Sequence, residues 1–283
     1  MAEILRGKQV IPAMSEATQA RVAALAERGE APPCLAVLRV GERPDDLSYE
    51  RSVMRRAETV GVAVRRIVLP ADADQRQLEG ALLEINADES INGCLMFQPL
   101  PTSLDADAAV ALLDPAKDVD GITPASLASV FMDGEGFAPS TAAACIAMLD
   151  AYGISVEGKH VVVVGRSMVV GKPLACLLLR RNATVTICHS RTADLASVMR
   201  SGDIVVCATG RARAYGAECF APGQVVLDVG INFTEDGTMC GDVDFDAVEP
   251  IVAAITPVPG GIGGLTCGIT LDHVVDAAER RLR

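Results

Sequence analysis

Along the first half of the chain, short apolar runs alternate with longer stretches in which apolar residues recur every three or four positions. This pattern predicts strands at Cys34–Val40, Val62–Leu69 and Gly93–Phe97, with helices at Ser48–Val60 and Gln75–Asn86 between them. Strands separated by helices make a parallel sheet, because a parallel return needs a long crossover. A loop-like stretch from Asp114 to Gly121 follows, and Gly134–Pro139 carries two glycines and a proline ahead of a helical Thr141–Tyr152. A domain boundary is expected there. From Gly158 a second alternation begins, with strands at His160–Val164, Ala183–Cys188, Asp203–Ala208, Gln224–Val229 and Ile251–Ile255, the order of a doubly wound dinucleotide-binding sheet. The final segment, Ile269–Arg283, sets Leu271, Val274, Val275, Ala278 and Leu282 on one stripe and is expected to pack back on the first domain. The expectation is a two-domain α/β protein. Residues 1–138 and 270–283 form the first α/β domain, and residues 139–269 form a Rossmann-like domain.

Composition narrows this picture in three ways. Six Phe, three Tyr and no Trp in 283 residues leave the core to Val, Ala, Leu and Ile, as suits parallel strands covered on both faces. A formal charge of −12 argues against nucleic acid or anionic lipid as a partner, although a local cationic pocket can still hold an anion. The nine cysteines are scattered singly with no C-x-x-C pair and only three histidines beside them, so no metal site and no disulfide framework is expected. The start, Met1-Ala2-Glu3-Ile4-Leu5-Arg6-Gly7-Lys8, lacks a signal pattern, and no apolar run approaches the roughly 20 residues of a membrane helix. The expected location is the cytoplasm.

The strand His160–Val164 runs into Gly165-Arg166-Ser167-Met168-Val169-Val170-Gly171-Lys172-Pro173 and then a helical run, Leu174–Arg180. A glycine turn between strand and helix lets backbone approach a pyrophosphate, and the helix start offers free amide hydrogens. The spacing departs from G-x-G-x-x-G: Ser167 stands at the second glycine and Gly171 comes one place late. At the end of the next strand, where an NAD site places an acidic residue on the ribose, stands Cys188-His189-Ser190-Arg191. With no carboxylate to repel it, and with Arg166 and Ser190 as donors, a 2′-phosphate is accommodated, which favours NADP over NAD. Solvated surface arginines are the alternative for Arg166 and Arg191.

These residues carry more than a fold. The Gly165–Pro173 loop resembles the G-R-S-x-x-V-G-x-P loop of the methylenetetrahydrofolate dehydrogenase/cyclohydrolase family, and Thr256-Pro257-Val258-Pro259-Gly260-Gly261-Ile262-Gly263 resembles its second signature. Asp114–Gly121 is similar to its D-P-x-K-D-V-D-G segment. Asp228-Val229-Gly230-Ile231-Asn232 and Gly241-Asp242-Val243 continue the likeness, which runs in order from about Val40 to Thr266. The resemblance implies a folate-binding catalytic domain and an NADP domain with substrate held between them, usually in a homodimer. It implies hydride transfer from 5,10-methylenetetrahydrofolate to NADP and, in most members, hydrolysis of the methenyl product to 10-formyltetrahydrofolate. By the same resemblance Tyr49 and Asp120 are the catalytic residues, Tyr49 stacking near the pterin and Asp120 accepting hydrogen bonds from its donor edge. Gln98, Pro259, Gly260, Gly261 and Thr266 join them around the substrate. Thr141, Gly165, Arg166, Ser167, Gly171 and Pro173 are implied around the cofactor, with His189, Ser190 and Arg191, then Ala208, Thr209 and Gly210, then Gly230 and Ile231. On their own, Tyr49 reads as a core residue of a helix and Asp120 as a turn former before Gly121.

Three positions depart from the family. Its tyrosine is followed four residues later by a lysine, one helical turn on, that serves proton transfer in the hydrolytic step; here Val53 stands there, with no gap between Val40-Gly41 and Val60-Gly61. Arg51, Arg55 and Arg56 are near, but a guanidinium keeps its proton, and these residues are read as lying on other helix faces. Phe97 replaces the glutamine that holds the lysine, and Gln98 is one place displaced, on the opposite strand face unless the backbone compensates. Gly264 replaces a proline of the P-G-G-x-G-P loop and loosens it. The expected activity is therefore an NADP-dependent dehydrogenase with a weak or absent cyclohydrolase step. The rivals are an ordinary bifunctional enzyme in which an arginine or water replaces the lysine, a silent folate- or NADP-binding protein, and a pocket adapted to a modified pterin.

Overall fold

The computed structural model describes all residues, Met1–Arg283. The chain begins with β1 (Glu3–Ile4) and α1 (Gly7–Glu27), followed by β2 (Cys34–Val40), α2 (Pro44–Val60), β3 (Ala63–Leu69), α3 (Gln75–Ala87), β4 (Gly93–Met96), α4 (Ala106–Leu112), α5 (Pro124–Phe131) and α6 (Ser140–Ala151). Then come β5 (His160–Val164), α7 (Gly171–Leu179), β6 (Thr184–Cys188), α8 (Leu195–Arg200), β7 (Ile204–Cys207) and β8 (Val225–Asp228). A small hairpin of β9 (Asn232–Phe233) and β10 (Met239–Cys240), α9 (Phe245–Val248), β11 (Ala254–Ile255) and α10 (Gly263–Arg280) complete it. No helix is long and apolar enough to cross a membrane.

Two compact units emerge, one of Pro12–Ser140 with Cys267–Arg283, the other of Met1–Ile11 with Thr141–Thr266. In the first, β3, β2 and β4 form a parallel sheet in that order, with Leu35 opposite Val64 and Gly93. Strand β2 alternates its side chains between two apolar layers. Leu35 and Val37 pack with Val53, Ala57 and Val60 of α2 and Leu271, Val274 and Val275 of α10, whereas Ala36, Leu38 and Val40 pack with Leu78, Leu82 and Ile85 of α3. Burial on both faces explains its unbroken apolar run. Helix α2 is closed by Gly61, whose left-handed φ of 79° lets its N–H reach Glu58 O, and α3 is opened by a reciprocal capping box between Asp74 and Gln77.

The second unit holds a six-stranded parallel sheet in the order β1-β11-β8-β7-β5-β6. Strand β5 lies between β6 and β7, so the winding reverses at β5, and the carboxyl ends of β5 and β7 face the crevice in which such sheets bind nucleotides.

The first eleven residues correct the expected division. They belong with the nucleotide unit, because Glu3 and Ile4 pair with Ala254 and Ile255 and extend its sheet. Helix α1 was not expected at all: Pro12 lies inside it, and its apolar positions are poorly segregated. Helix α10 begins six residues before the expected Ile269, which places Gly264 in its first turn rather than in a loop.

Candidate functional site

In the first unit, the segment from Asp114 to Gly121 distributes its charges by what the backbone requires. Asp114 accepts from Ala116 N at 2.9 Å and caps a short turn. Lys117 is buried and donates to the carbonyls of Ile85, Asn86 and Asp88 at the C-terminal end of α3. Asp118, fully buried, accepts from Ile122 N at 3.0 Å and Thr123 N at 2.7 Å. Asp120 is the charged residue these structural tasks leave over. It is half-buried, and Gly121 beside it takes φ +70° where a Cβ would strike Ala138 and Pro139. Burial raises its carboxyl to about 7, with the nearby Ser140 hydroxyl opposing and Asp118 adding to the rise.

Tyr49 lies on α2 against the same core, its ring centroid 5.3 Å from that of Phe97. Burial pushes its phenol upward, the Cys267 thiol and Asp120 add to this, and Arg56 opposes it. Val53, one turn on, is 1% exposed and packed among apolar side chains. Phe97 turns inward and Gln98 is exposed, so the structure does not bring Gln98 into the packing around Tyr49. Arg56 corrects the sequence reading. It follows Tyr49 by seven residues and Val53 by three, which puts all three on one face of α2, and its charge is felt at Tyr49 and Cys267. The seven-residue spacing was the available signal.

In the second unit, the sequence-predicted cofactor residues gather at the carboxyl ends of adjacent strands. Gly165 ends β5 with φ +136°, and a Cβ there would strike the Ala208 carbonyl at the end of β7. A Cβ on Gly171 would strike the Gly165 carbonyl, so Gly171 lets α7 pack down on the strand although it comes one place late in the motif. The Ser167 hydroxyl accepts from Val170 N at 3.1 Å and braces the loop between them. Pro173 is buried on α7; Arg166 and Ser167 are exposed. After β6, His189 and Thr192 close a turn in which Thr192 Oγ1 accepts from His189 N at 2.9 Å, leaving Ser190 and Arg191 exposed. Thr141 is half-buried in the first turn of α6 rather than at a strand end.

Two buried aspartates hold the next loops. The Asp242 carboxylate accepts from Thr209 N and Oγ1, Gly210 N, Arg211 N and Asn232 Nδ2, while Asp228 accepts from the amides of Gly230, Asp242 and Val243. The N–H groups of Thr209 and Gly210 are thus already paired, so this loop offers a ligand its shape and carbonyls. Asp228 and Asp242 were visible only as parts of short motifs, since nothing in a sequence says that two aspartates fourteen residues apart knit three loops together. Ile231 is exposed, and with Gly230, Pro257, Pro259, Gly260 and Gly261 it lines a cavity of about 220 Å³. Gly260 takes φ +105° and its carbonyl accepts from Gly7 N at 2.8 Å, which ties this loop to the start of α1. Thr266 is half-buried on α10.

Comparison with known proteins identifies the family of both units. The catalytic domain of tetrahydrofolate dehydrogenase/cyclohydrolase matches residues 5–120, and the NAD(P)-binding domain of the same family matches residues 139–282. The chain is 49% identical over 282 residues to the bifunctional protein FolD of Carboxydothermus hydrogenoformans, covering 99% of this chain and 98% of that protein. The crystal structure of the bifunctional FolD methylenetetrahydrofolate dehydrogenase/cyclohydrolase from Campylobacter jejuni aligns with a TM-score of 0.95 at 34% identity, over 99% of this chain and all of that one. That of the Trypanosoma brucei dehydrogenase-cyclohydrolase, complexed with NADP cofactor and inhibitor, aligns with a TM-score of 0.93 at 32% identity, over 100% and 99% of the two chains.

Proposed function

The chain belongs to the tetrahydrofolate dehydrogenase/cyclohydrolase family, and from that premise we propose that it oxidises 5,10-methylenetetrahydrofolate to the methenyl form with NADP and catalyses the following hydrolysis weakly or not at all. The observation that carries the second half is Val53, buried one helical turn from Tyr49 with Phe97 against the same ring. Neither side chain can give or take a proton, and hydrolysis of the methenyl cation needs water deprotonated and a ring nitrogen protonated. Hydride transfer needs alignment instead.

The glycine turn suits a dinucleotide-binding strand end, since a Cβ at Gly165 or Gly171 would strike the backbone carbonyl of Ala208 or Gly165, and only glycine lets strand, loop and α7 approach this closely. NADP supplies the hydride acceptor. The exposed Arg166, Ser190 and Arg191 at the ends of β5 and β6, with no carboxylate in the Cys188–Arg191 turn, support the phosphorylated cofactor over NAD. Tyr49 offers an aromatic face to the pterin, and Asp120 accepts from its N–H edge once ionised. Pro259, Gly260, Gly261 and Thr266 complete the substrate surroundings in this reading, and the working form is a homodimer in the cytoplasm, which sedimentation and fractionation test.

A paired assay on purified protein tests the reading, following NADP reduction with 5,10-methylenetetrahydrofolate and, separately, hydrolysis of added methenyltetrahydrofolate. Reduction without accelerated hydrolysis is expected. Comparable rates overturn the inference from Val53 and favour the bifunctional rival, which the relatives' names support. Activity in neither assay turns the reading towards a silent binder or a modified pterin.

A further inference from the structure

Arg56 is a half-buried charged side chain, one nitrogen of which the fold carries inside and leaves without a partner. Its Nη1 is buried and has no hydrogen-bond acceptor. Several arginines of this unit are paired, Arg39 and Arg66 with Glu50, Arg43 with Asp46, Arg65 with Asp88, and Arg21 with Asp272 and Glu279, whereas the buried nitrogen of Arg56 is not. The guanidinium of Arg56 lies against α10, where Nη1 is 3.6 Å from where a Cβ on Gly268 would stand, so even an alanine there would touch it. It shares the α2 face of Tyr49 and Val53, and Tyr49 feels Asp120 and Arg56 as charges of opposite sign. A buried charged N–H left unpaired is costly, so its retention calls for an explanation, and an acceptor supplied by a bound molecule is one.

We propose that Arg56 is a substrate-binding residue of this chain, its guanidinium donating to a carbonyl oxygen of the bound tetrahydrofolate and supplying the positive charge that Val53 does not. This rests on the folate reading given above. An N–H edge taken by Asp120 and a carbonyl taken by Arg56 together read the adjacent donor and acceptor of a pterin ring. That the positive charge on this face of α2 is carried by an arginine at 56, with Val53 at the position of the lysine, has a chemical consequence. An ammonium gives up its proton readily once desolvated, whereas a guanidinium holds it, so Arg56 binds and orients the substrate without moving a proton. Substrate recognition and the hydrolytic step are thereby separated, the first kept and the second lost.

The test is calorimetric titration of the full-length protein with tetrahydrofolate and, separately, NADP, together with thermal melting, for the wild type, Arg56→Met and Arg56→Lys. Methionine fills the volume without charge. Arg56→Met is expected to weaken tetrahydrofolate at least tenfold, to leave NADP affinity within twofold, and to raise Tm, because an unpaired buried charge is removed. Arg56→Lys is expected to recover part of the tetrahydrofolate affinity. An Arg56→Met protein that binds tetrahydrofolate as the wild type does overturns the proposal, as does one in which Tm and both affinities fall together, the mark of a purely structural residue. A wild type that binds NADP but no tetrahydrofolate overturns the folate reading itself and this proposal with it.

Discussion

The two units build their sites from different materials. At the strand ends of the nucleotide unit the shape is made by backbone: Gly165, Gly171 and Gly230 each stand where a Cβ would collide with a neighbour, and Asp228 and Asp242 bind amides. Around Tyr49 it is made by side chains, so that Val53, Phe97, Arg56 and Asp120 each decide a separate property of the wall. A backbone-built site tolerates change at its exposed positions but none at its glycines. A side-chain-built site keeps its shape under substitution while its chemistry changes one residue at a time.

The sharpest way to break this contrast is Gly171→Ala. The added methyl meets the Gly165 carbonyl, and NADP affinity is expected to fall by about 100-fold while tetrahydrofolate affinity holds, as calorimetry would record. If both hold, the glycine turn is not the cofactor site. Val53→Lys asks the converse question on the other unit. It is expected to add about 100-fold to methenyltetrahydrofolate hydrolysis with reduction little changed, and a variant with no gain would mean that more than one side chain has been lost. Asp242→Ala strips a shared acceptor from Thr209, Gly210, Arg211 and Asn232. Denaturant titration should show a loss of about 3 kcal/mol, with NADP binding weakened in those molecules that remain folded.

The pH dependence tests Asp120. Its folded-state carboxyl sits at about 7, above the value near 4 of an unfolded aspartate, so the folded protein binds its proton more tightly. The stability this contributes is full below about pH 4 and is lost as pH rises through 7, whereas the carboxylate that the proposed function needs forms in the same interval. Reduction kcat/KM should therefore rise through about pH 7 as Tm falls, and Asp120→Asn should flatten both curves. A rise that persists in the asparagine variant assigns it to another group. The smallest effect is expected from Arg191→Ala, because the side chain is exposed and its charge screened by water: KM for NADP up about fivefold and KM for NAD unchanged. Equal changes for both cofactors would remove Arg191 from the 2′-phosphate.

Local order determined much of this protein before any folding was considered. The apolar runs of β2 and β5, the periodicity of α2, and the glycine and proline spacing of the Gly165–Pro173 and Thr256–Gly263 loops follow from neighbours in the chain, and they marked the α/β class and the dinucleotide strand ends. Val53 and Phe97 stood out only against the family motif that the sequence resembles, and a helical turn and a strand's alternation then placed them relative to Tyr49 and Gln98. What tertiary structure alone decided depends on residues far apart. The pairing of Glu3 and Ile4 with Ala254 and Ile255 moved the N-terminus into the nucleotide sheet. The carbonyls at the end of α3 absorbed Lys117, so that its charge is not available to Asp120 nearby. Burial against α10 turned Arg56 from a surface charge into an unpaired donor beside Tyr49. Periodicity reports which face a residue takes, and only packing sets whether a charge on that face meets water, a partner or neither.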